Sequence, residues 1–197
     1  MTGSNTFGAP DTSPRFFEQL YRGKEDPWNF RRSPYERQRY QAILDVLDDR
    51  SYARAFEPGC SIGELTAGLA PCCERIDGID LSPSAVNRAR DRCGALPQVS
   101  VYQGALPDDI PDGTFDLIVF SEIGYYFSLP ELTSIIERLW CSLRPGGRFV
   151  ACHWLGHSAD HVLHGLEVAG TLEAVLGRDE LRHPIGGAYH LQRWSRD

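Results

Sequence analysis

The sequence predicts an α/β fold: a mostly parallel sheet with helices packed on both faces. Two observations carry this expectation. Short apolar runs at Tyr52–Phe56, Arg75–Ile79, Val99–Tyr102, Phe115–Phe120 and Arg148–His153 alternate with stretches of helical spacing at about 63–70, 84–93, 129–143 and 160–176. Repeated strand–helix alternation gives parallel strands joined by crossover helices. The run Phe115–Phe120, F-D-L-I-V-F, is apolar nearly throughout, as a strand covered on both sides must be.

The elements follow in order. Residues 1–14 are mostly Gly, Ser, Thr, Asn and Pro, with neither a basic nor an apolar signal region, and read as a flexible tail rather than a secretion signal. Arg15–Arg22 and Pro34–Asp49 have helical spacing; in the second, Tyr40, Ile43, Leu44 and Leu47 share one face. Between them Asp26-Pro-Trp-Asn-Phe30 forms an aromatic turn, and residues 15–50 together read as an amino-terminal helical lid. The remainder, 51–197, reads as one α/β domain. Ser82-Pro83 and Leu129-Pro130 mark helix starts, and Arg144-Pro-Gly-Gly147 stops one helix and turns the chain into the fifth strand. Leu181–Pro184 and Ala188–Trp194 flank Gly186-Gly187, which predicts a C-terminal antiparallel hairpin closing the sheet.

Charge and composition exclude several functions. With 27 acidic against 20 basic residues the net charge is −7, a poor match to a nucleic-acid partner, which requires a basic face. No apolar run approaches the roughly 18 residues of a membrane span. The six cysteines contain no C-x-x-C pair and read as reduced thiols of a cytoplasmic protein.

In a parallel sheet, ligands collect at the carboxyl ends of the strands. The first such junction is Glu57-Pro-Gly-Cys-Ser-Ile-Gly63. Gly59 allows a sharp turn and close backbone approach, and Gly63 allows close packing of a helix. The loop lacks G-x-G-x-x-G, and no Gly-Lys-Ser/Thr string occurs in the chain, so neither a nicotinamide nor a P-loop site is indicated. Glu57 repels a pyrophosphate but attracts an ammonium or sulfonium. Asp80 ends the second run 17 residues beyond Gly63, near the ~20-residue offset at which an acid reaches ribose hydroxyls. S-adenosyl-L-methionine (SAM) carries all of these groups.

Four strings in order, E-P-G-C-S-I-G, G-I-D-L-S, D-G-T-F-D-L-I-V-F-S-E and L-R-P-G-G, together resemble the motifs of class I SAM-dependent methyltransferases from about Tyr52 to His153. The flanks are similar to a narrower group, the NodS-like nodulation N-methyltransferases: D-P-W-N-F-R-R-S-P-Y-E-R-Q-R-Y before the fold, S-E-I-G-Y-Y-F after strand four and G-H-S-A-D-H beyond His153. The resemblance implies a Rossmann-like seven-stranded sheet with a reversed final strand. It also implies SAM as methyl donor, S-adenosyl-L-homocysteine as product, and a small-molecule acceptor, an amine of a sugar or oligosaccharide. O-methylation, another small acceptor, and a SAM-binding regulator without turnover share the same cofactor motifs. The resemblance puts the loop Gln103–Leu106 beside the adenine, with Ala105 where many relatives carry Asp; backbone groups of Ala105 and Leu106 are then left to hold the ring.

The expected cofactor site comprises Trp28, Arg32, Glu57, Gly59, Cys60, Gly63, Asp80, Leu81, Ala105, Leu106 and Ser121. For the cofactor carboxylate Arg31, Arg32 and Arg39 all offer a cation, and Arg32 is the one assigned. Glu122 follows a buried strand, where a carboxylate without a role is expensive to place; it either lines the transfer site or makes a structural hydrogen bond. Tyr125, Tyr126 and Phe127 either pack or shape the acceptor slot with ring faces. His153, His157, His161 and His164 have metal-like spacing, but Gly156 interrupts any helix that would align them, so no metal is expected. Glu122, Tyr125 and His153 are the expected catalytic residues, and Tyr126 and His157 the expected acceptor contacts.

Overall fold

The computed structural model describes residues 10–181 and 187–197. Most of the expected tail, and the turn and first arm of the expected hairpin, lie outside the described residues. Six strands, β1 (Ala55–Pro58), β2 (Ile76–Asp80), β3 (Val99–Gln103), β4 (Phe115–Ser121), β5 (Leu143–Trp154) and β6 (Tyr189–Ser195), form one sheet in the order β3-β2-β1-β4-β5-β6. All neighbours are parallel except β5 and β6, which pair antiparallel from Arg148↔Ser195 to Trp154↔Tyr189. This is the Rossmann-like methyltransferase sheet with its reversed last strand; among the described residues it has six strands rather than seven. β1, β2 and β4 are buried along their whole length.

Helices α1 (Pro14–Gly23), α2 (Pro34–Asp45), α3 (Glu64–Leu69), α4 (Pro83–Cys93), α5 (Leu129–Ser142) and α6 (Gly165–Leu176) complete the chain. Side chains at strand positions alternate between two cores. Phe56, Ile118, Phe120 and Phe149 pack with α5 and α6 through Ile135, Leu139 and Leu172. Leu117, Val119 and Val150 pack on the other face with Ile43, Leu47 and Leu69.

Boundaries depart from the expected ones where tertiary contacts intervene. The second helix ends at Asp45 rather than Asp49, because Asp48 and Asp49 adopt left-handed backbone (φ 54° and 52°) and the Asp48 carboxylate takes Arg148 and Arg193 at 2.8 and 2.6 Å. The first strand begins at Ala55 because the Ala53 and Arg54 N–H groups donate to Asp116 (2.8 and 2.7 Å) instead of to a neighbouring strand. The last helix begins at Gly165 rather than Asp160. His164 caps it, accepting the Leu166 N–H, and the Val162 and Leu163 N–H groups are drawn to the Tyr125 carbonyl (2.9 and 3.1 Å).

Buried acids near the amino ends of the strands are paired. Asp77 accepts from Arg54 and Arg75 at 2.7 and 2.8 Å, and Asp116 from Arg144 at 2.6 Å. The acids at the carboxyl ends are not matched in this way. No described helix is long and apolar enough to cross a membrane.

Candidate active site

A cavity of about 700 Å³ opens at the carboxyl ends of the strands, where this topology places ligands. Its floor is the loop after β1 (Gly59, Ser61), the end of β2 (Asp80, Leu81), the loop after β3 (Ala105, Leu106) and the end of β4 (Ser121, Glu122). Its roof is the amino-terminal segment: Phe17 and Tyr21 of α1, Trp28 and Phe30 of the aromatic turn, Tyr35 and Glu36 of α2. A smaller cavity of about 30 Å³ shares Gly59, Ser61, Ser121 and Glu122 and adds Arg39, Glu57 and Cys60.

The roof is tied down by polar contacts. The Glu18 carboxylate accepts from the Ser82 and Ser84 hydroxyls, 2.7 Å each, and from the Ser84 N–H at 3.1 Å, placing α1 over the amino end of α4, where a negative charge is favoured. The Tyr21 hydroxyl meets Ser61 Oγ at 2.5 Å. Trp28 stacks on Phe30 at 5.7 Å, and Phe17 meets the edge of Tyr126 at 4.8 Å.

Asp80 accepts the Ser61 and Ser82 N–H groups, one on each oxygen, at 3.0 and 2.9 Å. Burial nevertheless lifts its carboxyl to about 6. Glu57 is 4% exposed, its Oε2 has no partner among the described residues, and burial lifts it to about 7. Glu122 stands in left-handed backbone (φ 62°), accepting the Trp154 N–H on Oε1 (2.7 Å) and the Tyr125 hydroxyl on Oε2 (2.9 Å). Burial raises its carboxyl against the pull of Arg39.

Arg39 is buried, 2% exposed. Its Nη1 donates to Ser121 Oγ at 2.7 Å, its Nε to Glu36 Oε2 at 3.0 Å, and its Nη2 also reaches Glu36. Nη1 lies 3.9 Å from Glu122 Oε1. Burial alone lowers a guanidinium, but the carboxylates of Glu122 and Glu36 hold this one above its usual range.

Of the residues expected at the cofactor, Trp28, Gly59, Asp80, Leu81, Ala105, Leu106 and Ser121 line the large cavity, and Glu57 and Cys60 the small one. Two stand elsewhere. Gly63 faces α4, where a Cβ would sit 3.1 Å from Ala89 Cα. Arg32 is exposed and lines neither cavity. Arg31 is committed to Glu25 and Glu64, so Arg39 alone of the three candidate arginines reaches a cavity wall.

Of the residues expected at the acceptor, Glu122, Tyr125 and Tyr126 line the large cavity. His153 does not. It lies behind the wall, Nε2 accepting the Gly124 N–H at 3.1 Å, and burial pushes it down to about 3. His157 is exposed beside His164. The histidine on the wall is His161, stacked on Tyr125 at 3.7 Å and 17°. Tyr35 and Glu36, which the sequence offers either as anchors of the amino-terminal helices or as part of a lid, line the large cavity. The spacing Glu36, Arg39, Ile43 is an inward-facing helical stripe, a signal that separates Arg39 from its exposed neighbours.

The residues present fit SAM. The described cavity walls carry Glu36, Glu57, Asp80 and Glu122 against one buried arginine, an excess of negative charge suited to an ammonium and a sulfonium. The unpartnered Glu57 oxygen awaits a donor. At Gly59 a Cβ would lie 2.3 Å from Ile123 Cγ2, so bare backbone is required there. Fold and site define a SAM-dependent methyltransferase.

Comparison with known proteins narrows this class. The family model described as Nodulation protein S (NodS) matches residues 17–185. Nodulation protein S of Bradyrhizobium diazoefficiens is 34% identical over 83% of this chain and 81% of its own length. That of Rhizobium tropici is 35% identical over 64% of this chain; there the chain spans about half, 54%, of the relative. The crystal structure of the N-methyltransferase NodS from Bradyrhizobium japonicum WM9 with S-adenosyl-L-homocysteine superposes with a TM-score of 0.82 at 26% identity, covering 94% of this chain and 99% of that one. The chain belongs to the NodS family.

Because Arg39 is ion-paired with buried Glu36 and lies 3.9 Å from Glu122, its removal leaves unpaired buried charge. Arg39→Ala is expected to destabilise the protein by about 3–5 kcal/mol in urea unfolding, and Arg39→Lys, lacking the planar fork, to recover only part of this.

Proposed function

We propose that this SAM-dependent methyltransferase methylates nitrogen, an amino group of a sugar or oligosaccharide. The observation that carries this reading is the acidic lining of the cavity: Glu122 on the acceptor side, with Glu36 on the roof, favours a cationic acceptor and disfavours a carboxylate one. The Bradyrhizobium japonicum NodS, an N-methyltransferase, supports nitrogen as the accepting atom. The rings of Tyr126 and Trp154 on the same wall suit a sugar, which presents C–H faces to aromatic rings and hydroxyls to the polar rim. The six thiols, all free, suit a reducing cytoplasm, and the acidic surface disfavours nucleic acid.

For the cofactor, Glu57 takes the ammonium, Arg39 the carboxylate and Asp80 the ribose hydroxyls, with Trp28 and the rest of residues 15–50 as lid. The Ala105 N–H is already given to Asp109 at 2.8 Å, and its carbonyl accepts the Asp109 N–H. The adenine therefore falls to Leu81 and the Leu106 backbone. When bound, SAM supplies an electrophilic methyl on a sulfonium sulfur. The chain's own contribution is to hold the acceptor lone pair in line with that methyl and exclude water; such positioning supplies about 7–11 kcal/mol in favourable cases. Glu122, fixed by Tyr125 and the Trp154 N–H, places a negative charge at the acceptor nitrogen, which becomes cationic as the bond forms.

Incubation of the wild-type protein with SAM and a panel of amino sugars, followed by mass spectrometry, is expected to show one added methyl; acceptors of unchanged mass beside demonstrable cofactor binding would reject the amine reading. Glu122→Gln should leave S-adenosyl-L-homocysteine affinity intact by calorimetry while lowering kcat, and wild-type turnover would make Glu122 structural. Glu57, at about 7 without ligand, must shed its proton to pair with an ammonium. Affinity for S-adenosyl-L-homocysteine should therefore fall as pH drops below about 7. In Glu57→Gln it should be weaker by about 10- to 100-fold, the worth of a charge-assisted hydrogen bond, and flat across the same range.

A further inference from the structure

Buried polar atoms without partners mark places where a ligand is expected. Five such side-chain atoms occur among the described residues, and two of them, Tyr35 Oη and His161 Nδ1, belong to side chains on the large cavity. Neither residue belongs to a cofactor motif.

His161 is held firmly. Its ring lies flat on Tyr125, with the edges of Tyr126 and Trp154 at 5.4 and 6.0 Å. The two residues that follow it donate their N–H groups to the Tyr125 carbonyl, and the Tyr125 hydroxyl is anchored on Glu122. The imidazole is thus indexed to the carboxylate at the centre of the acceptor wall.

The other candidate bases on the large cavity are occupied. Both Glu122 oxygens have donors. Glu36 is committed to Arg39, Asp80 to two backbone N–H groups, and Glu131 to Ser128. His153 is turned to Gly124, behind the wall. Burial raises the Tyr35 phenol well above its ordinary value, so it stays protonated and is no base.

We propose that His161 is the base that takes the proton from the acceptor's ammonium before methyl transfer. The assignment rests on the amine reading given above. The ammonium N–H bond breaks to the imidazole, giving imidazolium and a neutral amine. The nitrogen lone pair then forms the N–C bond while the C–S pair returns to sulfur, leaving a methylammonium product, and the imidazolium releases its proton to solvent. The charged and titratable groups around His161 are Asp160, His157, His164, His153, Tyr125 and Tyr126. Burial outweighs Asp160, so the ring is lowered from its usual range and stands neutral at pH 7, ready to accept.

His161→Phe preserves a flat ring on Tyr125 and removes the base. In this variant S-adenosyl-L-homocysteine affinity should be unchanged by calorimetry. The kcat for an amino sugar should fall about 10²- to 10⁴-fold with KM little altered, and the rate should climb with pH through the acceptor amine's own ionisation. Imidazole in solution should restore turnover to His161→Ala. Independently of activity, the His161 Cε1–H resonance of the wild-type protein loaded with S-adenosyl-L-homocysteine should shift on adding glucosamine oligomers and not on adding their N-acetylated counterparts. A wild-type kcat in His161→Phe, or a resonance that glucosamine oligomers leave in place, overturns the assignment while the amine reading stands. If the wild-type protein binds the cofactor yet methylates no amine, the amine reading falls and this assignment with it.

Discussion

Arg39 is a guanidinium with almost no solvent, and burying such a charge is unfavourable by several kcal/mol unless its surroundings repay it. Here Glu36, Ser121 Oγ and the nearby Glu122 do so. Because Glu36 and Arg39 stand on α2 and Ser121 and Glu122 at the end of β4, the same contacts that satisfy the charge fix the amino-terminal segment over the sheet. Glu122 extends the connection: its N–H donates to the Cys152 carbonyl at 2.9 Å and its carboxylate takes the Trp154 N–H, which links β4 to the end of β5. Tyr125, and through it His161, then follow. The α2 part of the roof, the end of β4 and the acceptor wall are therefore joined by one ion-pair cluster.

The two ends of the sheet treat their acids oppositely. Near the amino ends Asp77 and Asp116 are buried against arginines and backbone donors, an arrangement that stabilises the fold and leaves no capacity for a ligand. At the carboxyl ends Glu57 keeps an unpartnered oxygen, and both Glu57 and Asp80 have carboxyls raised by burial. Groups held in that condition oppose folding and gain from a cation, so cofactor binding and stability are linked. Departures from full pairing of this kind are expected where a site has been built for a ligand.

Much of this was legible in the sequence because it is encoded locally. The central strands are apolar through their length, and helix starts at Ser33, Ser82 and Ser128 carry explicit caps, so element types and order follow from pattern alone. That Glu57, Asp80 and Glu122 line the cavities is legible because each sits where an apolar run ends, which in a parallel sheet is the ligand side. The failures have a common cause in contacts distant along the chain. No periodicity reveals that the Tyr125 carbonyl captures the Val162 and Leu163 N–H groups, and that capture puts His161 on the wall and leaves His157 in solvent. His153 was misread because it ends a strand; its ring points into packing against Phe120 and Tyr125 rather than into the cavity. Arg32 precedes the Ser33 cap of α2 and stays exposed, whereas Arg39 lies within the helix on the inward stripe with Glu36 and Ile43.

The same cluster bears on why an acidic acceptor wall would retain an arginine at all. A lone Glu122 at this depth would take up a proton, as burial drives any isolated carboxyl to do, and a neutral acid offers nothing to a developing cation. With Arg39 at 3.9 Å the carboxylate is held toward its ionised form, and Tyr125 and the Trp154 N–H direct it. On the amine reading, positive charge moves from sulfur to nitrogen as the methyl passes, so a fixed carboxylate nearer the nitrogen favours the later state over the earlier one. Arg39 weakens that field by its own charge, but it also keeps the field in existence; and because its hydrogen bonds go to Glu36 and Ser121, it reaches Glu122 only as a nearby charge and leaves the carboxylate oxygens to Tyr125 and Trp154.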